Sequence, residues 1–332
     1  MKLNKIYFAL IVLLFLGLVG CDDDAVGPDD PVVNETEIVL DYLENDLQFP
    51  YGGFVTTAEN VRTSMLTNPD AQYLVDIRAA DDFNTGYIDG AIQVNFTDLY
   101  DHIKGINTGS YDQIVLVCYS GQSAAYAAAL LRAAGYANVF SMKWGMSGWH
   151  EDLAGPWLNN ISNARAMDFV QTSAPPKPEK GELPEITTGL TDAVDIIDAR
   201  VAGLFAAGYS PAIINHNSLY QNLSGYRIIN YWPTNLYENL GHIEGALNYP
   251  PATEPWKSEN DLLTLSTENP NVIYCYTGQT SSYLSGYLRI LGYDSRSLLY
   301  GGNGMIYDVM NGNNTPNTFI PENEIKNYEY VQ

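Results

Sequence analysis

One stretch of this chain occurs twice, and that duplication constrains the fold more than any other feature of the sequence. Residues 115–123 read VLVCYSGQS and residues 272–280 read VIYCYTGQT, so that Cys118 and Cys275 lie 157 positions apart. A repeat of this length is a whole folding unit, because solenoid modules repeat every 20 to 50 residues or so. The sequence therefore predicts two copies of one domain.

The 332 residues divide around this repeat. Residues 172–182 form a polar, Pro-rich stretch without apolar periodicity, which is typical of a linker. We therefore place the first domain at 51–171 and the second at 183–332. Within the second domain, residues 201–223 precede the first strong strand pattern and are interpreted as an insertion.

Strand and helix patterns alternate within each copy. In the first copy, short apolar runs predict strands at Tyr73–Ile77, Ile92–Asn95, Ile114–Cys118 and Asn138–Ser141. A helix is predicted from Gln122 to about Ala134, because Gly135 follows it and glycine suits the left-handed conformation after a helix. The alternation predicts an α/β fold in which each domain has a mostly parallel sheet with helices on both faces.

The N-terminus has the pattern of a targeting segment. Two lysines precede the apolar run Ile6–Leu18, which is shorter than the roughly 20 residues of a membrane-spanning helix and is typical of a signal peptide. The run ends in LVGC at Cys21, which resembles the lipobox of bacterial lipoproteins; in the alternative, an ordinary signal peptide, Cys21 is incidental. We expect removal of residues 1–20, lipidation of Cys21, and an acidic, solvated tether at 21–50. The protein would then be lipid-anchored in the bacterial cell envelope, on the periplasmic or the surface side.

The charge balance of the chain limits its partners. Acidic side chains outnumber basic ones by 39 to 16, which gives a formal net charge of −23. Binding to nucleic acid or to anionic lipid headgroups depends on Lys and Arg replacing counterions. We therefore expect no nucleic-acid partner and no membrane contact other than the lipid anchor. An anionic substrate is not steered toward such a protein from a distance.

Both repeated cysteines stand at the end of a buried strand, before a short polar loop and the start of a helix. This carboxyl edge of a parallel sheet is where α/β proteins bind ligands. Loop N–H groups and the positive end of the helix stabilise a thiolate, which is the nucleophilic form of cysteine. We expect Cys118 and Cys275 to be catalytic. The expected substrate-binding residues are those of the two loops: Tyr119, Ser120, Gly121, Gln122 and Ser123 in the first, and Tyr276, Thr277, Gly278, Gln279 and Thr280 in the second.

Further motifs complete a resemblance to the rhodanese family. Besides its Cys loop, the first copy carries Asp76-Ile77-Arg78, the segment GYIDGA at 86–91 and the segment WGMSGW at 144–149. The second copy carries GHIEGA at 241–246 and Tyr300-Gly301-Gly302. Each copy is thus similar to a rhodanese domain, and the whole chain resembles a bacterial lipoprotein with tandem rhodanese domains.

The resemblance implies a sulfurtransferase. In that family the Cys thiolate takes sulfane sulfur from a donor such as thiosulfate, holds it as a persulfide, and passes it to a thiophilic acceptor such as cyanide or a thiol, which could belong to a protein. No cofactor and no metal ion are implied. Two alternatives stay open at this point: a non-catalytic binding or sulfur-relay module, and a pair in which one copy is only a scaffold for the other.

The composition of the two loops separates this chain from a related class of enzymes. Phosphatases of similar fold carry an Arg six residues after the Cys, where it binds phosphate in a bidentate manner. That position is Ala124 in the first copy and Ser281 in the second, which argues against phosphatase activity. Neither loop contains Lys or Arg, so Lys143 is the expected substrate-binding cation of the first site. At the offset of 157, its counterpart is Tyr300.

The surroundings of the cysteines leave two simpler interpretations open. A Cys at the end of an apolar strand is commonly an inert core residue. A Cys118–Cys275 disulfide is the second possibility, although it needs Cα atoms within about 7 Å.

Below the first site we expect a structural ion pair between Asp76 and Arg78.

Overall fold

The computed structural model describes residues 34–332. The helices are α1 (Glu35–Asn45), α2 (Ala58–Thr67), α3 (Ala80–Thr85), α4 (Leu99–Lys104), α5 (Gln122–Ala133), α6 (Met146–Trp149), α7 (Gly155–Leu158), α8 (Ala193–Ala207), α9 (His216–Tyr220), α10 (Thr234–Leu240), α11 (Gln279–Ile290), α12 (Tyr307–Gly312) and α13 (Pro321–Glu324). The strands are β1 (Val55–Thr56), β2 (Gln72–Asp76), β3 (Ile92–Gln93), β4 (Gln113–Val117), β5 (Val139–Met142), β6 (Phe169–Val170), β7 (Ile213–Ile214), β8 (Arg227–Asn230), β9 (His242–Ile243), β10 (Leu247–Asn248), β11 (Asn271–Tyr274) and β12 (Ser295–Leu298). In this part of the chain, no helix is long and apolar enough to cross a membrane.

Two five-stranded sheets of the same topology form the framework. The strand order is β1-β5-β4-β2-β3 in the first sheet and, read from the equivalent edge, β7-β12-β11-β8-β10 in the second. All neighbouring strands within both sheets run parallel. Order and direction confirm the predicted α/β fold and the duplication.

The centre strand of each sheet leads into a Cys loop. Strand β4 is fully buried from Ile114 to Val117 and ends one residue before Cys118, so the sulfur belongs to the loop rather than to the predicted strand. Helix α5 begins at Gln122, as the sequence predicts. The chain leaves this helix through Gly135 at φ +94°, a left-handed conformation that glycine adopts without strain.

Residues 201–223 are not an insertion, contrary to the sequence interpretation. They contain the end of α8, then β7 and α9, which repeat the order α1, β1, α2 of the first domain. Strand β7 pairs with β12 as β1 pairs with β5. The two copies differ in sequence at this edge, which hid the correspondence.

The tether predicted at 21–50 is wrong for its second half. Helix α1 carries Val39, Leu40 and Leu43 on one buried face. The Glu35 carboxylate accepts hydrogen bonds from the backbone N–H groups of Thr188 at 2.7 Å and of Gly189 at 2.8 Å. Apolar residues at helical spacing thus outweighed the acidic composition that suggested a solvated arm. Residues 21–33, Cys21 and the predicted signal peptide lie outside the described residues.

One large apolar cluster spans the two domains. Helices α5 and α11 pack directly against each other, and a Cβ placed on Gly286 would lie only 2.8 Å from the Cβ of Ala129. Side chains from both halves of the chain, including Leu131, Phe205 and Leu288, belong to one continuous cluster. Burial of this kind stabilises the association by about 25 cal/mol per Å² of apolar surface. The pair of domains is therefore one packed unit.

Each domain also receives a short segment from the other half of the chain. Strand β6, which we assigned to the first domain from sequence, pairs antiparallel with β9 (His242–Ile243) of the second. Reciprocally, Val331 forms an antiparallel bridge with Tyr87, with N–H···O distances of 2.9 and 2.8 Å. Tyr87 and His242 hold the same position in GYIDGA and GHIEGA. The segment after the first domain is thus paired with the second domain, and the C-terminal segment is paired with the first domain.

We predict that the C-terminal segment 327–332 stabilises the first domain. The Trp149 indole N–H donates to the Glu329 carbonyl at 3.0 Å, and the Tyr328 ring packs edge-on against Trp149 at 5.1 Å. Deleting 327–332 should lower the free energy of unfolding by about 3 kcal/mol, because a buried indole loses its partner and its packing. Urea unfolding followed by Trp fluorescence measures this. Deleting only the exposed Gln332 is the control, and equal midpoints for both deletions would contradict the prediction.

Candidate active site

The first site is built around Cys118, the residue after β4. Its side chain is only 1% exposed, and the Gly121 backbone N–H donates to its Sγ at 3.1 Å. Gly121 has φ +86° immediately before α5, which turns the loop back toward the sulfur. The sulfur therefore lies beside the N-terminal end of a largely buried helix, where backbone donors favour a negative charge.

A second glycine lets another segment pack against the back of this loop. Gly145 has φ +58°, and a Cβ there would lie 2.3 Å from the Cys118 carbonyl oxygen. The next two residues hold the loop backbone: the Met146 N–H donates to the Cys118 carbonyl at 2.8 Å, and the Ser147 hydroxyl to the Tyr119 carbonyl at 2.9 Å. The WGMSGW segment is thus a support for the loop.

The second site repeats this construction around Cys275, which is 3% exposed. Gly278 has φ +78° before α11, and a Cβ on Gly301 would lie 2.2 Å from the Cys275 carbonyl oxygen. The hydrogen-bond partners of the sulfur differ, however. The Ser281 N–H lies 3.4 Å from Sγ, the Ser281 hydroxyl 3.5 Å and the Thr277 hydroxyl 3.9 Å. The second thiol is surrounded by hydroxyl groups as well as by an amide.

Two of the predicted loop side chains reach across the domain interface rather than toward substrate. The Gln122 Oε1 accepts from the Tyr300 backbone N–H at 2.9 Å. The Gln279 amide donates to the Ser141 hydroxyl at 2.8 Å, and Ser141 in turn donates to the Gly121 carbonyl at 3.0 Å. Each Cys loop is therefore fastened to the other domain through its glutamine.

The remaining loop side chains stay within their own domain. The Tyr119 hydroxyl donates to the Asp82 carboxylate, and burial together with that bond raises the pKa of Tyr119 to about 12. The Ser120 hydroxyl accepts from the Gln122 amide at 3.0 Å, and the Thr277 hydroxyl accepts from the Gln279 backbone N–H at 3.1 Å. Ser123, Tyr276 and Thr280 are half-buried. The loop contributes backbone donors more than free polar side chains.

Two tyrosines of the second domain complete the first site, and sequence reasoning missed both. Burial first, then the charge of Cys118, raises the pKa of Tyr300 to about 12. The pKa of Tyr209 is also well above its usual value, mainly through burial, with Cys118 among the further causes. Tyr209 follows α8 as Tyr51 follows α1, a correspondence that the insertion reading concealed. Because the Tyr300 backbone also binds the Gln122 side chain of the first loop, the second domain contributes to the surroundings of Cys118.

The expected cation Lys143 packs on an aromatic ring. Its ammonium lies 4.7 Å from the centre of the Trp144 ring, and it forms no ion pair within residues 34–332. The Lys143 backbone N–H donates to β1, and the Leu299 backbone N–H donates to β7 in the same way. Leu299 is therefore the structural counterpart of Lys143 in the second domain. The alignment of Lys143 with Tyr300 is therefore wrong by one residue. Tyr300 corresponds to Trp144, and both have positive φ, +60° and +65°.

The expected ion pair between Asp76 and Arg78 is confirmed. The Arg78 guanidinium donates to the Asp76 carboxylate at 2.6 and 3.0 Å and to the Gly86 carbonyl at 2.7 Å, and both charged side chains are at least 97% buried. In the second domain Asn230 and Trp232 replace the pair. The Asn230 side chain still accepts from the Trp232 backbone N–H, at 3.1 Å.

We predict that Arg78→Ala destabilises the protein by about 3 kcal/mol, because it leaves the Asp76 carboxylate buried without its partner. Urea unfolding measures the loss. Adding Asp76→Asn to the same variant should restore part of the stability, since it removes the uncompensated charge. Equal free energies of unfolding for the single and the double variant would contradict the prediction that the uncompensated Asp76 charge causes the loss.

Both buried cysteines are free thiols in the described part of the chain, so the Cys118–Cys275 disulfide is excluded. Between residues 34 and 332, no cluster of three or more His, Cys, Asp or Glu side chains is arranged to bind a metal ion. The polar groups that lie against the sulfur atoms are backbone amides and hydroxyls. Such a site is suited to covalent thiol chemistry.

Comparison with known proteins identifies the family. The model of the rhodanese-like domain matches twice, at residues 58–152 and 185–304, which together are more than half of the chain. The chain therefore belongs to the rhodanese family and contains two rhodanese domains.

Two curated relatives agree with this assignment. The chain is 38% identical over 89 residues to thiosulfate sulfurtransferase GlpE of Shewanella oneidensis. The matched residues make up 26% of this chain and 83% of that protein. It is 34% identical over 84 residues to GlpE of Pseudomonas putida, covering 25% of this chain and 74% of that protein. A crystal structure of thiosulfate sulfurtransferase from Pseudomonas aeruginosa matches at 18% identity and a TM-score of 0.29, over 80% of this chain and 46% of that one.

Proposed function

We propose that this protein is a sulfurtransferase that carries sulfane sulfur as a persulfide on Cys118 and Cys275. The thiolate attacks the outer sulfur of a donor such as thiosulfate, the S–S bond of the donor breaks, and sulfite leaves with the bonding electron pair. Cyanide or a thiolate then attacks the terminal sulfur of the persulfide, and the Cys thiolate is released. Covalent catalysis divides the transfer into two easier steps.

The observation that carries the proposal is the duplicated position of the sulfur. In both domains the Cys follows the centre strand and lies within 3.1 to 3.4 Å of a backbone N–H near the start of a buried helix. The terminal sulfur of a persulfide is an anion at neutral pH, as a thiolate is, so the same donors and the same helix end stabilise both. A cysteine that only fills space in the core does not require a backbone N–H beside its sulfur, yet both diverged copies have one.

The burial of both thiols limits the substrates. With exposures of 1% and 3%, the sulfur atoms are out of reach of a folded protein surface in this conformation. Small donors and acceptors fit the proposal best. Because Lys143 packs on Trp144 instead of on the loop, binding of thiosulfate depends on amide and hydroxyl donors. GlpE proteins named as thiosulfate sulfurtransferases are similar to this chain, and this supports thiosulfate as the first donor to test.

The test is thiocyanate formation from thiosulfate and cyanide by the full chain. We predict that Cys118→Ser and Cys275→Ser each remove part of the activity and that the double variant falls to the uncatalysed background. Cys21→Ser, the third cysteine, is the matched control and should keep full activity. Turnover by the double variant equal to that of the wild type would refute the enzymatic proposal.

Intact-mass measurement separates catalysis from sulfur carriage. A gain of about 32, the mass of one sulfur atom, that disappears in the double variant identifies the persulfide. A persulfide without thiocyanate turnover would favour the alternative of a sulfur-relay module. Persulfide on only one of the two cysteines would favour a scaffold role for the other domain.

We further propose that the protein is lipid-anchored at Cys21 in a bacterial cell envelope. The support is the lipobox-like LVGC sequence after an apolar run. In a bacterial host, we predict that the wild-type chain enters the detergent phase on Triton X-114 partitioning and that Cys21→Ser moves to the aqueous phase. Cys118→Ser is the control. Identical partitioning of the Cys21→Ser and wild-type chains would contradict the anchor.

A further inference from the structure

The two Cys sites differ most at the first turn of the helix that follows the loop. Helix α5 has Ala124 and Ala125 where α11 has Ser281 and Ser282. Both serines are completely buried. A buried hydroxyl costs free energy unless it is hydrogen-bonded, so two of them in one helix turn call for partners.

The partners form a continuous chain that starts at the second thiol. The Ser281 Oγ lies 3.5 Å from the Cys275 Sγ and 2.8 Å from the Ser297 Oγ. The Ser297 Oγ lies 3.1 Å from the Ser282 Oγ, which lies 2.7 Å from the Tyr209 hydroxyl. We call Ser281, Ser297 and Ser282 the serine chain. In the first site Ala124 and Ala125 leave no such chain.

The hydroxyls of the serine chain have more hydrogen-bond acceptors within reach than they have protons to donate. Each hydroxyl can therefore rotate between alternative acceptors. Ser282 and Ser297 both lie within donating distance of the Gly278 carbonyl, at 2.6 and 3.1 Å. Since a hydroxyl has one donor and two acceptor positions, Ser297 can donate to Gly278 or to Ser281. Ser281 can therefore accept from the Cys275 thiol in one arrangement and donate to its thiolate in the other. No heavy atom has to move.

We propose that Ser281 is a positioning residue for Cys275: its hydroxyl accepts from the thiol, turns to donate to the thiolate, and gives the second site a side-chain hydrogen bond to the thiolate that the first site lacks. On ionisation the thiol proton leaves to solvent, and Ser281 donates in its place. At Cys118 the donor identified is the Gly121 amide, which cannot turn into an acceptor.

The titratable groups that face Cys275 do not compete with Ser281 near neutral pH. They are the phenols of Tyr231 and Tyr276, and the charge of Glu254 further raises the pKa of Tyr231. Burial raises the pKa of each phenol to about 12, with the charge of Cys275 among the further causes. Both phenols therefore stay neutral near neutral pH and place no charge beside the sulfur.

The experiment is the pH profile of Cys275 alkylation by iodoacetamide in the full chain, read by peptide-resolved mass spectrometry. Ser281→Ala should raise the midpoint by about one to two pH units, because a hydrogen bond to the charged form is lost. The Cys118 midpoint in the same sample should not move. Ser285→Ala is the matched control: Ser285 is a buried serine of the same helix whose hydroxyl donates to the Ser295 carbonyl at 2.8 Å.

A midpoint for Ser281→Ala equal to that of Ser285→Ala would overturn the proposal. If Ser281→Ala does not fold, Ala124→Ser decides: it should lower the Cys118 midpoint, and an unchanged midpoint refutes the proposal. The inference rests on Cys275 being a nucleophile, but alkylation needs no sulfur donor. An unmoved midpoint in a protein that forms persulfide refutes only the role of Ser281, whereas a moved midpoint without persulfide refutes only the proposed function.

Discussion

The contact between α5 and α11 is the constraint on which the rest of the molecule depends. Gly286 lies so close to Ala129 that any side chain at Gly286 would collide with it. Because each helix begins at a Cys loop, this contact fixes where the two loops lie, and it allows Gln122 and Gln279 to hydrogen-bond across the interface. Neither site is therefore the property of a single domain. A chain with only one copy would leave an apolar helix face exposed to water.

The packing of the two domains also contributes to the surroundings of Cys118. Tyr300 and Tyr209 of the second domain lie near Cys118, and the exchanged segments at Tyr87 and His242 hold the two halves together at a distance from the helices. Burial removes water from the sulfur and strengthens its few hydrogen bonds. Within residues 34–332, the polar groups in contact with the two sulfur atoms are amides and hydroxyls. The negative charge of the chain, −23, agrees with a site that does not depend on attracting anions from a distance.

The sequence was sufficient for features that depend on local pattern and on the repeat. The parallel sheets, the start of α5 at Gln122 and the Asp76–Arg78 pair could all be predicted, since each depends on residues close in sequence or on a recognised motif. Features that depend on packing between the halves could not. Helix α1 was hidden by its acidic residues, and nothing local shows that Val331 pairs with Tyr87 across 244 positions. Tyr209 was missed because residues 201–223 were interpreted as an insertion, and Lys143 was aligned with Tyr300 because the offset between the copies changes by one residue after the Cys loop.

Duplication has kept the backbone of the two sites and changed what lines them. In both domains a glycine with positive φ opens the helix, and a serine, Ser141 or Ser297, donates to that glycine's carbonyl oxygen. These parts hold the loop and cannot change without moving the sulfur. The small buried positions of the following turn are free to be Ala or Ser at almost equal volume, and a hydroxyl there alters the hydrogen bonding of the thiol without altering the fold. The interior of one helix turn is therefore where two copies of one site can come to differ in the hydrogen bonds made to the sulfur.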